Sequence, residues 1–112
     1  MNDKEFEWYF RDTIFRYYNN EGREFDESEL VDNIKKHFRF KDIEMEYIHE
    51  LVRRILSNTT IVSKINNKVI VKDVLERYQC KDCFYTFYIA KSEASQCARC
   101  NSYNLRLFTL KR

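Results

Sequence analysis

The chain has 112 residues, 44% apolar and 16% aromatic, with a formal net charge of +2. That length suits one domain or two very small ones, and that apolar share suffices for a core. Mean hydropathy is −0.67, and no run approaches the roughly 20 apolar residues of a membrane-spanning helix.

Residues 1–12 are charged throughout and lack the apolar block of a secretory signal. The expected location is therefore the cytoplasm, with no membrane partner. Proline is absent and Gly22 is the one glycine, which excludes flexible linkers and glycine-rich phosphate loops. Turns must then use Asn, Asp and Ser. Charge is uneven: residues 1–58 hold 10 Lys/Arg against 14 Asp/Glu, and residues 59–112 hold 10 against 4. An acidic half and a basic half meet different partners, or partly each other.

Phe6, Phe10, Ile14 and Tyr18 recur every four positions, and Trp8 and Phe15 widen the stripe. This predicts a helix over about 4–19 whose apolar face belongs to the core or to a dimer interface. Asp26, with Glu29 three residues on and Phe25 before it, has the form of a capped helix start. A second helix over 27–38 follows, with Leu30, Val31, Ile34 and Phe38 on one face. Ile43, Tyr47, Ile48, Leu51, Val52, Ile55 and Leu56 predict a third, over 42–57. Two β-like runs, 59–65 and 68–71, flank Asn66-Asn67, a pair suited to a hairpin turn over 59–72. Three helices and then a hairpin is the order of a winged helix-turn-helix. The expected class is α+β: a winged-helix-like domain over 1–75, then a small β zinc ribbon over 76–112.

All four cysteines fall in the second segment, as Cys80-Lys-Asp-Cys83 and Cys97-Ala-Arg-Cys100. A CxxC turn brings two sulfurs to one ion, and two such knuckles complete a tetrahedral shell. The expected cofactor is one structural Zn²⁺ held by Cys80, Cys83, Cys97 and Cys100. Rubredoxin-type iron uses similar ligands, and the spacing accommodates both. Four protein ligands leave no open position for water, so the ion is structural. Between the pairs, Phe84–Ile89 reads as a strand and Lys91–Gln96 as the return loop. Tyr103–Leu110 reads as a further strand, with Leu105 and Leu107 opposite Asn104, Arg106 and Phe108.

The run Arg77-Tyr-Gln-Cys-Lys-Asp-Cys83, then Thr86-Phe87, then Ser95-Gln-Cys-Ala-Arg-Cys100 with Asn101-Ser102, resembles archaeal predicted transcriptional regulators. In that family a helix-turn-helix domain is fused to a C-terminal zinc ribbon. The resemblance is specific over 77–102 and architectural over 1–75. The order of elements is also similar to that of the archaeal basal transcription factor E. Either likeness implies a role in transcription, through DNA or through RNA polymerase. Such ribbons usually carry glycine after the first knuckle and proline inside the second, where this chain has Phe84 and Ala98. Neither is a ligand.

Nucleic-acid binding begins with neutralisation of phosphate by Lys and Arg. In a winged helix the third helix normally enters the major groove, yet here it carries Asp42, Glu44, Glu46 and Glu50 against Lys41, Arg53 and Arg54. The basic half is the better candidate. Lys64, Lys68 and Lys72 step along the hairpin, and Arg99 and Arg106 add charge on the ribbon. Tyr85, Tyr88 and Tyr103 are candidates for stacking on unpaired bases. Each of these lysines and tyrosines also has an ordinary role, in solubility or in packing. No nucleophile motif, phosphate loop or HExxH appears, so an enzyme is not expected. The expected function is a transcription-associated nucleic-acid-binding adaptor for single- or double-stranded DNA. The other reading is a protein adaptor whose acidic third helix docks on RNA polymerase or on a replication or repair assembly.

Overall fold

In a computed structural model the chain is α+β, and residues 3–38 and 45–108 are described. Helix α1 (Asp3–Thr13) continues into a π-helical turn over Ile14–Tyr18. Then come β1 (Glu24–Asp26), α2 (Glu27–Phe38), α3 (Met45–Asn58), β2 (Val62–Ile65) and β3 (Lys68–Val71). The remaining strands are β4 (Leu75–Cys80), β5 (Thr86–Ala90) and β6 (Leu105–Leu107). The strands form two antiparallel three-stranded sheets, ordered β1-β3-β2 and β5-β4-β6. No helix among the described residues is long and apolar enough to cross a membrane.

The widening of the first helix has a reason in its sequence. At 3.6 residues per turn, a four-residue spacing drifts by about 40° per repeat. Wider π-turns counter that drift. Phe6, Phe10, Ile14 and Tyr18 are accordingly all buried in one cluster. Tyr18 stacks on Phe25 with ring centroids 3.8 Å apart. The aromatic first helix caps the core of its own chain.

Two strands escape the sequence pattern. Glu24–Asp26 pairs with Lys68–Val71 as the outer strand of the first sheet. Asp26, expected as a helix cap, closes that strand, and its carboxylate lies 2.9 Å from Lys68 Nζ. The amide of Glu27, first in α2, donates to the carbonyl of Asn67 in the hairpin turn. Asn66 takes φ +57 in that turn, as a two-residue hairpin requires. Gly22 has φ +82 and turns the chain into β1, where only glycine is unstrained. Leu75–Cys80 is the central strand of the second sheet. Both polar groups of the Asn19 side chain bond the backbone of Leu75, at 2.8 and 2.9 Å, and so start that strand. The third helix begins at Met45 in the described residues. The predicted residues 42–44 lie outside them, as do Thr109 and Leu110.

Strand β5 is buried on both faces, and its period-two alternation assigns each side chain to one of two clusters. Tyr88 and Ala90 join the larger cluster with α1, α2 and α3. Phe87 and Ile89 join the smaller one with Cys80 and Cys97. Trp8 packs against both, and its indole N–H donates to the carbonyl of Thr86 at 2.8 Å. Arg11 donates to the carbonyl of Tyr88 and grips Glu93 through two parallel bonds of 2.6 and 2.7 Å. The Tyr88 hydroxyl donates to the buried Asp12 carboxylate, whose other oxygen accepts from Arg16 at 2.8 Å. Helix α1 is therefore the seam between the two clusters.

Desolvation alone would push the Glu93 carboxyl up. The Arg11 fork and the Ala90 amide outweigh it and hold Glu93 below its ordinary 4.5. A carboxyl depressed in the folded state stabilises it above the unfolded pKa, and that contribution disappears as pH falls through the folded value. Glu93→Gln should therefore lower the urea midpoint at neutral pH and flatten its decline below about pH 4.5. Urea titrations across pH 3–7 check this; an acid limb as steep in the variant as in the parent would contradict it.

Candidate metal centre

Cys80 ends β4, and the turn after it returns the chain to β5. Cys97 and Cys100 lie in the loop between β5 and β6, which comes back alongside β4. The four Sγ atoms all lie within 4.8 Å of one another. Cys80 and Cys100 are 3.5 Å apart at sulfur, and Cys83 and Cys97 are 3.6 Å apart. A tetrahedral ion with metal–sulfur bonds of about 2.3 Å has sulfur–sulfur edges of about 3.8 Å. The thiols are thus placed for one ion. All four cysteines are free of disulfides.

The two halves of the site repeat one geometry. The amides of Asp82 and Cys83 point at Cys80 Sγ, at 3.4 and 3.5 Å. The amides of Arg99 and Cys100 point at Cys97 Sγ, at 3.3 and 3.4 Å. In each knuckle the residue after the second cysteine bonds back to the carbonyl of the first: Phe84 to Cys80 and Asn101 to Cys97. Both residues sit in the left-handed region, at φ +63 and +64. Asparagine tolerates that conformation; a bulky aromatic does so only under strain.

The amides of the first knuckle shift the titration of its leading thiol. The Cys83 amide, helped by that of Asp82, draws Cys80 down to about 7. The Ser102 amide also draws on Cys100, but desolvation and the neighbouring sulfurs prevail and hold that thiol at about 12. One thiol down and another up is the behaviour of interacting groups in which the first thiolate opposes the next. A bound cation removes that opposition, and binding then releases protons.

Two crosslinks beside the ligands fix the knuckles to each other. Asp82 accepts from the Ser102 hydroxyl and from Asn104 Nδ2. The Lys81 amide donates to the carbonyl of Asn104, while the Cys97 amide closes its own loop onto the carbonyl of Ser102.

The basic candidates are dispersed. Lys64 Nζ lies 3.0 Å from Glu27, and Lys68 pairs with Asp26, so both hairpin lysines meet carboxylates of their own fold. Lys72 is exposed just past β3. Arg106 bonds Gln79 across the β4–β6 pair. Arg99 is exposed, its guanidinium 5.7 Å from the centre of the Tyr85 ring. The tyrosines divide as well. Tyr88 is 3% exposed and belongs to the core. Tyr85 is half-buried and stacks on Phe87. Tyr103 is 76% exposed. Phe84, expected within a strand, precedes β5 and is 70% exposed. Its signal was the departure from glycine after the first knuckle.

The chain gives no match to protein-family models, to curated proteins or to solved structures. The metal centre is therefore defined by its own geometry.

Native mass spectrometry should find one metal ion per parent chain. Cys97→Ser should retain none at equal metal concentration, because three thiolates and an alcohol no longer satisfy the ion. A variant that keeps stoichiometric metal would overturn the four-thiol site. Lowering pH should release metal from the parent, as protons compete for the sulfurs.

Proposed function

We propose that the chain is a transcription-associated nucleic-acid-binding adaptor, built as a winged-helix-like unit followed by a ribbon around one structural zinc. The observation that carries this reading is one juxtaposition. Three helices and a β1-β3-β2 sheet stand beside a second sheet that ends in two cysteine knuckles. Thiolate ligands in a tetrahedral set favour zinc or iron–sulfur chemistry, and a site closed by four cysteines suits a structural ion. The likeness of residues 77–102 to archaeal helix-turn-helix and zinc-ribbon regulators points the same way.

Lys72, Lys81 and Arg99 are exposed on the basic half, and none of the three forms an ion pair among the described residues. They are the better first contacts for phosphate. Lys64 and Lys68 must first leave Glu27 and Asp26 to serve. That cost limits the hairpin and favours the ribbon.

The acidic third helix supports the second reading, docking on a protein assembly. Glu46 and Tyr47 are exposed on α3, whereas Glu50 is engaged by Arg54 at 3.0 Å. Glu44 lies outside the described residues.

Salt separates the two. Each neutralised phosphate contributes about −0.7 to −0.9 to the slope of log K against log salt. Zinc-loaded protein should bind short oligonucleotides with a steep negative slope. Lys72→Glu combined with Arg99→Glu should weaken binding and flatten the slope by about 1 for each phosphate that is no longer neutralised. An absence of binding at low salt would reject the nucleic-acid reading in favour of a protein partner.

A further inference from the structure

The outer end of the ribbon exposes two large rings. Phe84 and Tyr103 are 70% and 76% exposed. Phe84 immediately follows the first knuckle. Tyr103 is flanked by Ser102 and Asn104, both of which bond that same knuckle at Asp82 and Lys81. These bonds place both residues at the knuckle end of the sheet.

Phe84 carries the stronger signal. Its φ of +63 costs an L-residue with a bulky side chain, and glycine would adopt it freely. Packing offers no compensation within the fold, because the ring stands mostly in solvent. A strained residue whose side chain gives its own fold so little is the kind found where a molecule meets something else.

Charge around the rings selects the occupant. Lys81 and Arg99 are exposed on the two knuckles, and Arg106 lies on the neighbouring edge strand. Against them stands Asp82, occupied by Ser102 and Asn104. Aromatic faces set among cations match unpaired bases on a phosphate backbone. A duplex hides its base faces in its own stack and offers such rings nothing to lie on.

We propose that Phe84 and Tyr103 form a stacking platform for unpaired bases of single-stranded nucleic acid, with Lys81 and Arg99 as its phosphate contacts. This inference rests on the nucleic-acid reading above and narrows it to one kind of ligand and one surface.

Fluorescence anisotropy on the full zinc-loaded chain tests it, with labelled oligo-dT, oligo-rU and a duplex of equal length at two salt concentrations. Single strands should bind more tightly than the duplex, and the tighter of dT and rU identifies DNA or RNA as the source. Phe84→Gly and Tyr103→Ala should each weaken single-strand binding about 5- to 150-fold, the range that one base stack supplies. The salt slope should stay unchanged in these two variants. Lys81→Glu and Arg99→Glu should instead reduce the slope by about 1 each. Phe84→Tyr and Tyr103→Phe should preserve affinity. Because Phe84→Gly relieves the backbone, its metal content and melting temperature should hold or rise while affinity falls. Should that variant lose metal, Tyr103→Ala decides, since Tyr103 has no left-handed backbone to disturb.

Single-strand binding indifferent to both rings would overturn the platform and leave the nucleic-acid reading standing. Binding to the duplex alone would do the same. No binding to any oligonucleotide at low salt would sink both and assign the exposed rings to a protein partner.

Discussion

Four sulfurs held within 4.8 Å of one another would repel as thiolates, and a cation bound between them would turn that repulsion into attraction. The rest of the second sheet depends on it. Its own buried cluster contains Cys80, Phe87, Ile89 and Cys97, so half of those side chains are candidate ligands. Phe87 and Ile89, with Trp8, Tyr78, Tyr85 and Leu105 packed partly buried against them, form a small core to order the knuckle loops. Apparent zinc binding to small thiolate modules is about 10–16 kcal/mol, enough to organise such loops. Amides aimed at Cys80 favour its thiolate before an ion arrives.

The other end of that sheet is ordered differently. There Arg11 and Asp12 of α1 hold Tyr88 and Glu93, and Asn19 holds the start of β4, while Trp8 reaches Thr86 at the knuckle end. Charge-assisted bonds of this kind are among the stronger polar contacts, and they are shielded here by aromatic packing. The far end of the second sheet is therefore fixed by protein contacts, whereas the knuckle end combines the Trp8 contact with four thiols placed for an ion. The platform of Phe84 and Tyr103 stands at the sulfur end, so its geometry follows the state of the metal site.

How far the sequence could be read depended on the range of each interaction. Periodicity exposed the three helices, because an apolar stripe records which face is buried. The hairpin was legible in Asn66-Asn67, and the metal site in cysteine spacing alone. The π-helical turn was implicit in the strict four-residue repeat from Phe6 to Tyr18, which a straight α-helix cannot keep on one face. Strand β1 carried no such record: three residues with one buried side chain leave no pattern. Strand β4 was masked because its inner residues are half-buried rather than alternating. The carboxylates that hold Lys64 and Lys68 come from a neighbouring strand and helix, and no local spacing announces a partner about 40 residues away. Phe84 was legible as an oddity, but its exposure and backbone strain appear only in three dimensions.

The most direct test is amide hydrogen exchange on the β5-β4-β6 sheet, with metal bound and after chelation. The amides of Phe84, Cys97, Asn101 and Leu105 should lose protection when the metal is removed, because their acceptors lie in the knuckles and the loop that joins them to β6. The amides of Leu75 and Ala90, held by Asn19 and Glu93, should keep most of theirs. Equal protection with and without metal would show that sulfur ligation does not order the knuckle end of the second sheet.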